Sequence, residues 1–378
     1  LNFTNVKKNR TGSSKPAVWD IENFNFSYAY SKIFRRNQIV EENTILQHRA
    51  SVGYNFASRA RPWEPFKKKI KNRKLSLIRN INFNFVPNSI NMRMDVDRRY
   101  GELQNRSNDD FEAIVPRFYD KSFTFNRVYG VRWNFAKNLK FDYNATANAW
   151  VEEPYGEINT PEQKDTILEN FRNLGTLRDF NQVMNLNYSL PFQSIKMLNW
   201  ISASAKYSGN YSWNTAPPAV SSVGNTIQNG QTIGMNTNLN FSSFYNKFKV
   251  LRKLNAPPPK KKRKRKKSTE DPDDPKKKKE EWQPTSVERF LGQFLMMTKQ
   301  AQLSITQTNG TTLPGFSEKV DYVGRNLEFQ TPSWPFIAGF QNPELRYSLA
   351  KDGFLSGDTL QNNRYMELAS TTISGKAT

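Results

Sequence analysis

Few residues in this chain could do covalent or metal chemistry. Cysteine is absent and histidine occurs once, as His48, among 378 residues. Thiolate zinc sites, disulfide scaffolds and cysteine nucleophiles are thereby excluded within this span. A zinc site takes three or four protein ligands, usually His or Cys, and one histidine does not supply them. A Ser-His-Asp triad would have to use His48, which sits in the strand-like run Thr44-Ile45-Leu46-Gln47-His48-Arg49 and reads as a polar strand position. Three adjacent carboxylate pairs occur, Asp109-Asp110, Glu152-Glu153 and Asp273-Asp274. Neighbouring strand residues point to opposite faces, so such pairs do not converge on one glycosidic bond, and they read as loop charges. No Gly-x-x-x-x-Gly-Lys phosphate loop is found. The expectation is a protein that is not an enzyme and takes no cofactor or metal.

What the chain does contain is alternation. From 123 to 135, Phe123, Phe125, Tyr129, Val131, Trp133 and Phe135 share one parity, while Thr124, Asn126, Arg132 and Asn134 hold the other. A period of two means an extended strand with two unlike faces. Similar runs put Phe24, Phe26, Tyr28 and Tyr30, then Val52, Tyr54 and Phe56, then Ile90, Met92, Met94 and Val96 on a greasy face. Further along come Leu139, Phe141 and Tyr143, then Met184, Leu186 and Tyr188, then Ala205, Tyr207, Tyr211 and Trp213, and Ile233 and Met235. The interleaved residues are polar: Asn91, Arg93, Asp95, Asn126, Arg132, Lys140, Asp142, Asn144, Lys206, Asn210, Asn236 and Asn238. With a start at Leu1-Asn2-Phe3 and a shorter run at 301–308, about ten strands are expected. Lys137-Asn138 is a very tight hairpin.

Three helices are expected between them. Thr160, Pro161 and Gln163 form an N-cap, an N1 proline and a capping box for 160–175. Thr285 and Glu288 form a second box for 285–298. A weaker stripe of Phe66, Ile70 and Leu77 spans 66–80 among seven Lys/Arg. All three stripes read first as packing surfaces and second as interfacial lipid contacts. Residues 257–281 open with Pro257-Pro258-Pro259 and run through eight basic residues, Lys260 to Lys267. That segment is expected to be a solvated, disordered loop. The chain carries net charge +22. It begins at Leu1 with no signal-like segment, which suggests an internal piece or processed product. No apolar run reaches the roughly 18–20 residues of a membrane helix.

Two architectures suit amphipathic strands: a soluble stacked-sheet protein, or a transmembrane barrel whose greasy face meets lipid. Runs of 9–13 residues match the roughly 9–11 of a membrane strand better than the 5–6 of an average soluble one. The polar face suits a wet lumen, on which Lys206 and Arg93 read as partners of carboxylates across strands. On this reading Phe24, Phe26, Tyr28, Phe123, Phe125, Tyr129, Trp133, Phe141, Tyr143, Tyr188, Tyr207 and Tyr211 meet lipid. Strand counting puts 59–88 and 243–299 on the same side as the tight turn, and the long connections 153–178 and 214–230 on the other.

Several phrases resemble one family. Ser194-Ile195-Lys196-Met197-Leu198-Asn199-Trp200 follows a strand ending in Leu-Pro, and Ala203-Ser204-Ala205-Lys206-Tyr207 leads on to Tyr211-Ser212-Trp213. Gly224 to Ile233, Asn238 to Phe241 with Leu254-Asn255, Ile21 to Phe24, Tyr28 to Tyr30, Pro65 to Lys67 and Pro87 to Ser89 also match. In this order they resemble the SprA (Sov) family, the outer-membrane translocons of the type IX secretion system in Bacteroidota. The likeness runs over nearly the whole chain and is thinnest in 257–340. It implies an internal segment of one very large all-β, antiparallel transmembrane barrel with a lateral opening, capped outside and plugged on the periplasmic side. It implies export of folded cargo, and support of gliding motility in some species. Implied partners are secreted cargo, a PorV-like barrel, a plug protein and outer-membrane lipid. The polybasic run 260–267 departs from the family pattern.

The expected organisation is barrel strands with loops and short helices over 1–242 and a periplasmic insertion over 243–299. A barrel strand follows at 300–312, then an extracellular or lumenal cap over 313–378 leading to further strands. The rival reading is a basic nucleic-acid-binding β protein, for which Lys260 to Lys267 resembles a nuclear-localisation patch. Its aromatics alternate with Asn and Ser rather than clustering with Arg, so no nucleic acid is expected.

Overall fold

A computed structural model of the protein describes residues 1–12, 16–58, 61–72, 75–107, 115–255, 285–321, 323–326, 328–358 and 364–378. The expected loop at 257–281, with its basic run, and the pairs Asp109-Asp110 and Asp273-Asp274 lie outside the described residues.

Among the described residues, the alternating runs and one further strand without alternation make eleven strands that hydrogen-bond in sequence order as one sheet. They are β1 (Asn2–Val6), β2 (Phe24–Arg35), β3 (Val40–Ala57), β4 (Ser89–Asn105), β5 (Phe118–Ala136) and β6 (Leu139–Trp150). After these come β7 (Thr176–Leu190), β8 (Ile201–Asn214), β9 (Asn225–Asn240), β10 (Gln300–Phe316) and β11 (Met366–Ala377). Pairing from β1 to β7 is antiparallel throughout. Several strands exceed the sequence-based bounds: β5 has 19 residues and β3 has 18.

The chain divides into two compact units. One comprises Leu1–Ser189, Ala205–Gly234 and Thr306–Thr371, and the other Leu190–Ser204, Met235–Ile305 and Thr372–Thr378. The first holds two apolar cores on one face of the ladder. In the smaller core, helix α2 (Pro161–Arg172) lays Ile167 and Phe171 on Phe123, Phe125 and Val96. The expected capping box is present: Thr160 accepts from the Gln163 amide, and Gln163 accepts from the Thr160 amide. In the larger core, the connection 317–365 packs Val320, Phe336, Ile337, Leu345 and Leu349 on Ala145, Ala147, Phe180, Tyr211, Trp213 and Ile227. Two short helices shape this connection, α6 (Trp334–Ile337) and α7 (Leu345–Lys351). Small alanines at alternate β6 positions leave the depth that the larger side chains fill.

The helix expected over 66–80 is reduced to a single turn, α1 (Ser76–Arg79). On a helix Lys71 would lie four residues from Lys67 and three from Lys68, and like charges at those spacings disfavour it. The second unit carries α3 (Phe241–Tyr245), α4 (Lys249–Asn255) and α5 (Ser286–Leu295). The capping box of Thr285 and Glu288 opens α5. No helix among the described residues is long and apolar enough to cross a membrane.

Candidate membrane interface

Between the register shifts near the strand ends, pairing from β2 to β7 places residues on faces. Phe26, Val52, Met94, Arg127, Ala147 and Phe180 form one cross-strand row. Phe24, Tyr54, Met92, Tyr129, Ala145 and Gln182 form the next. The opposite face carries Asn25, Gly53, Arg93 and Val128 in one row, and Ser27, Ser51, Asp95, Asn126 and Asn148 in another. The odd-even split of the sequence is thus a true split of sheet faces.

The apolar face is not uniform. Six of the twelve residues expected at lipid lie under protein instead. Phe125 is 4% exposed and Phe123 is stacked on Phe171, both beneath α2. Tyr129 and Tyr143 pack against the larger core, and Tyr211 is 1% exposed within it. Tyr207 donates from its hydroxyl to the Ala338 carbonyl at 2.6 Å and lies against the Phe340 ring. The reason is that a greasy strand face is equally well covered by a long connection folding back as by lipid, and alternation does not distinguish the two.

The other six are not beneath the two cores. Phe24 is 45% and Phe26 44% exposed, beside exposed Val52, Met92 and Met94. Tyr28 hydrogen-bonds His48 Nδ1 at 2.9 Å, and His48 lies against the Tyr30 ring, so the one histidine is a polar strand position. Trp133 donates to the Asn84 carbonyl at 2.8 Å and lies tilted against Phe135, which meets Phe141 in turn. Tyr188 is exposed near the tight-turn end.

On the polar face the charges are largely compensated. Arg132 pairs with Asp142 across strands at 2.8 Å, and Arg49 with Asp97 at 3.0 Å. Arg93 pairs with Asp95 at 2.9 Å, two residues along its own strand rather than across as expected. Same-face neighbours along a strand are reachable by a long guanidinium side chain. Ser208 donates to Asn185, and Ser304 to Asn236. Lys140, Asn144, Lys206, Asn210 and Asn238 carry no ion pair among the described residues. Asn144 is on the face of Arg93 and Asp95. The Glu152-Glu153 pair is structural: Glu153 is bound by Arg98, and Glu152 accepts from Thr176 at 3.2 Å.

Sequence reasoning missed the polar residues that hold the 317–365 connection. Gln182 donates to the Ile337 carbonyl at 3.1 Å and accepts from the Tyr143 hydroxyl at 3.0 Å. Asn229 donates to the carbonyls of Phe336 and Phe340 at 3.1 and 3.0 Å. Because such residues sit on the apolar face, they interrupt the greasy rhythm. The expected loop 214–230 therefore shrinks to 215–224, with β9 beginning at Asn225, and β7 begins at Thr176. The signal that could have found this contact is mid-strand glycine. A Cβ at Gly209 would lie 2.0 Å from the Ala338 carbonyl oxygen, and one at Gly339 2.5 Å from that of Gly230. Glycine inside a strand marks close backbone approach.

At the tight-turn end, 82–88 runs beside β5. The Asn84 amide donates to Phe135 and the Asn88 amide to Arg132, both at 2.8 Å, while the Lys137 amide donates to Asn82 at 2.7 Å. Glu64 bridges Lys137 and Lys67, whose hydrogen bonds hold its carboxyl below the ordinary glutamate range. A depressed folded value means the clasp is fully present above the unfolded glutamate range and is lost as pH falls through the folded one. Amide exchange at Asn84 and Lys137 is expected to quicken as pH falls below the ordinary glutamate range, and Glu64→Gln to abolish that dependence. Exchange that follows only the intrinsic pH trend in both proteins would refute it.

The fold and faces define the class: a mostly antiparallel, sequentially paired eleven-stranded β protein with one apolar and one polar sheet face. Neither a family model nor a curated protein sequence matches the chain.

Proposed function

We propose that the chain is a stretch of wall of a large transmembrane β-barrel, the protein-conducting outer-membrane channel of a type IX secretion system, of the SprA (Sov) kind. The observation that carries this reading is the bare apolar ribbon of Phe24, Phe26, Val52, Met92 and Met94. These residues are exposed side by side on one face of long antiparallel strands. Soluble proteins rarely leave contiguous apolar surface of this kind uncovered.

Three further features support it. A 19-residue strand reaches about 60 Å, twice what a bilayer core requires, so its far half is free to carry the 151–175 and 317–365 connections beyond the membrane. The limit of covered residues steps toward the tight turn from Val96 on β4 to Tyr129 on β5 and Tyr143 on β6. A line of constant height does this on strands tilted to a barrel axis. The ordered phrases shared with the SprA family point the same way.

In this reading β1 and β11 pair with further strands of the same wall, since unpaired backbone is not tolerated in lipid. The polar face becomes a hydrated bore. Arg49, Arg93 and Arg132 are matched by neighbouring aspartates, which lowers the free charge the wall offers to passing folded cargo. Transport energy comes from elsewhere in the machinery. A PorV-like barrel and a plug protein are the expected companions, and gliding motility depends on the channel in species that glide.

The test is fractionation of the native full-length protein and its depletion. The protein is expected in the outer membrane, resisting carbonate and yielding to detergent, and its loss is expected to trap folded cargo in the periplasm. A protein that dissolves in plain buffer would overturn the reading.

A further inference from the structure

The second unit carries an amphipathic helix mounted with its greasy side outward. On α5, Val287, Phe290, Leu291 and Phe294 span an arc of about 100°, centred about 150° from Gly292. Gly292 is the face the helix packs with: its absent Cβ would lie 3.0 Å from Leu254 of α4, and Met296 just beyond is buried. The apolar stripe is therefore left bare, with Phe290 69% and Phe294 68% exposed. Phe248 and Val250 on the neighbouring turn are exposed too. Folding on its own terms would bury this stripe and leave the small residue outside.

The charge around the stripe has one sign. Among its described residues the unit has eight basic side chains, including Lys196, Lys247, Lys249, Arg252 and Arg289, against one acidic side chain. That one, Glu288, is engaged in the helix cap, accepting from the Thr285 amide at 2.8 Å. The intervening sequence 256–284 has Trp282 as its only large apolar residue, too little to cover four. Phenylalanine and leucine on one side, with lysine and arginine beside them, match a bilayer surface: acyl chains for the rings, phosphates for the cations.

We propose that α5 lies in the headgroup–acyl boundary of a bilayer containing anionic phospholipid, with α4 as its basic fringe. The helix then anchors the 241–299 connection to the membrane surface. The inference stands apart from the barrel reading, since a peripheral protein could dock through the same helix.

The experiment places a nitroxide on the full-length protein at Phe294→Cys and, separately, at Gln293→Cys, in vesicles with and without phosphatidylglycerol. Position 294 is expected to favour oxygen over a nickel chelate severalfold relative to 293, more so with the anionic lipid. Lys249→Gln with Arg252→Gln is expected to weaken the anionic preference on the order of tenfold. A label at 294 open to the nickel chelate would mean a solvated helix. One shielded from both quenchers would mean a protein partner. Either result overturns the proposal.

Discussion

Arginine in place of Val52 is expected to cost about 2–4 kcal/mol of stability in a bilayer if the site lies near the midplane, and arginine at Ser51 close to nothing. The two residues are adjacent on β3, in the middle of the ladder, and differ only in face. Val52 lies between Phe26 and Met94, all three exposed on the apolar side. Ser51 lies between Ser27 and Asp95 on the polar side, where a new cation would find a carboxylate. In water, a half-exposed valine is a mild position and both substitutions would be nearly neutral. The size of the difference thus reports the solvent of the apolar face. Urea unfolding of the full-length protein in lipid vesicles measures it. Equal midpoints for the two variants would leave no lipid face to defend.

The second large effect is expected at Gly209. An alanine there would force its Cβ to 2.0 Å from the Ala338 carbonyl oxygen and 2.9 Å from its carbon. Both atoms are backbone, so the turn at 337–340 must move. Moving it breaks the bonds from Tyr207, Gln182 and Asn229 to the carbonyls of Ala338, Ile337, Phe336 and Phe340. It also uncovers Phe336 and Ile337. Burial of two such side chains and satisfaction of two buried amides together amount to about 4–9 kcal/mol. The expected result is fast amide exchange and proteolysis within 334–340, with the strand ladder retained. Gly357→Ala is the control, because its added Cβ would meet nothing within 4 Å. Unchanged protection in Gly209→Ala would show that the close approach is not real.

These two sites mark the boundary of what the sequence made legible. Val52 and its row were readable because a strand turns alternate residues to two unlike faces, and the difference between Phe and Asn records it. The tight turn at Lys137-Asn138 and both capping boxes were readable for a similar reason: each is a local hydrogen-bond requirement met by residues within a few positions. Strand β11 was not, since its residues from Met366 to Ala377 are exposed throughout and carry no rhythm. Nor were the near halves of β7 and β9, where Gln182 and Asn229 serve the backbone of a connection more than a hundred residues away.

What the order of residues determined by itself is the mostly antiparallel β class, the two-faced sheet, and which side chains stand on which face. All of these follow from the two-residue period and short-range capping. Only the tertiary structure decided which part of the greasy face is bare and which is roofed. That choice rests on contacts between Tyr207, Tyr211 and Phe125 and distant segments. Burial by protein and burial by lipid select the same side chains, so composition alone records the demand for cover and not its source.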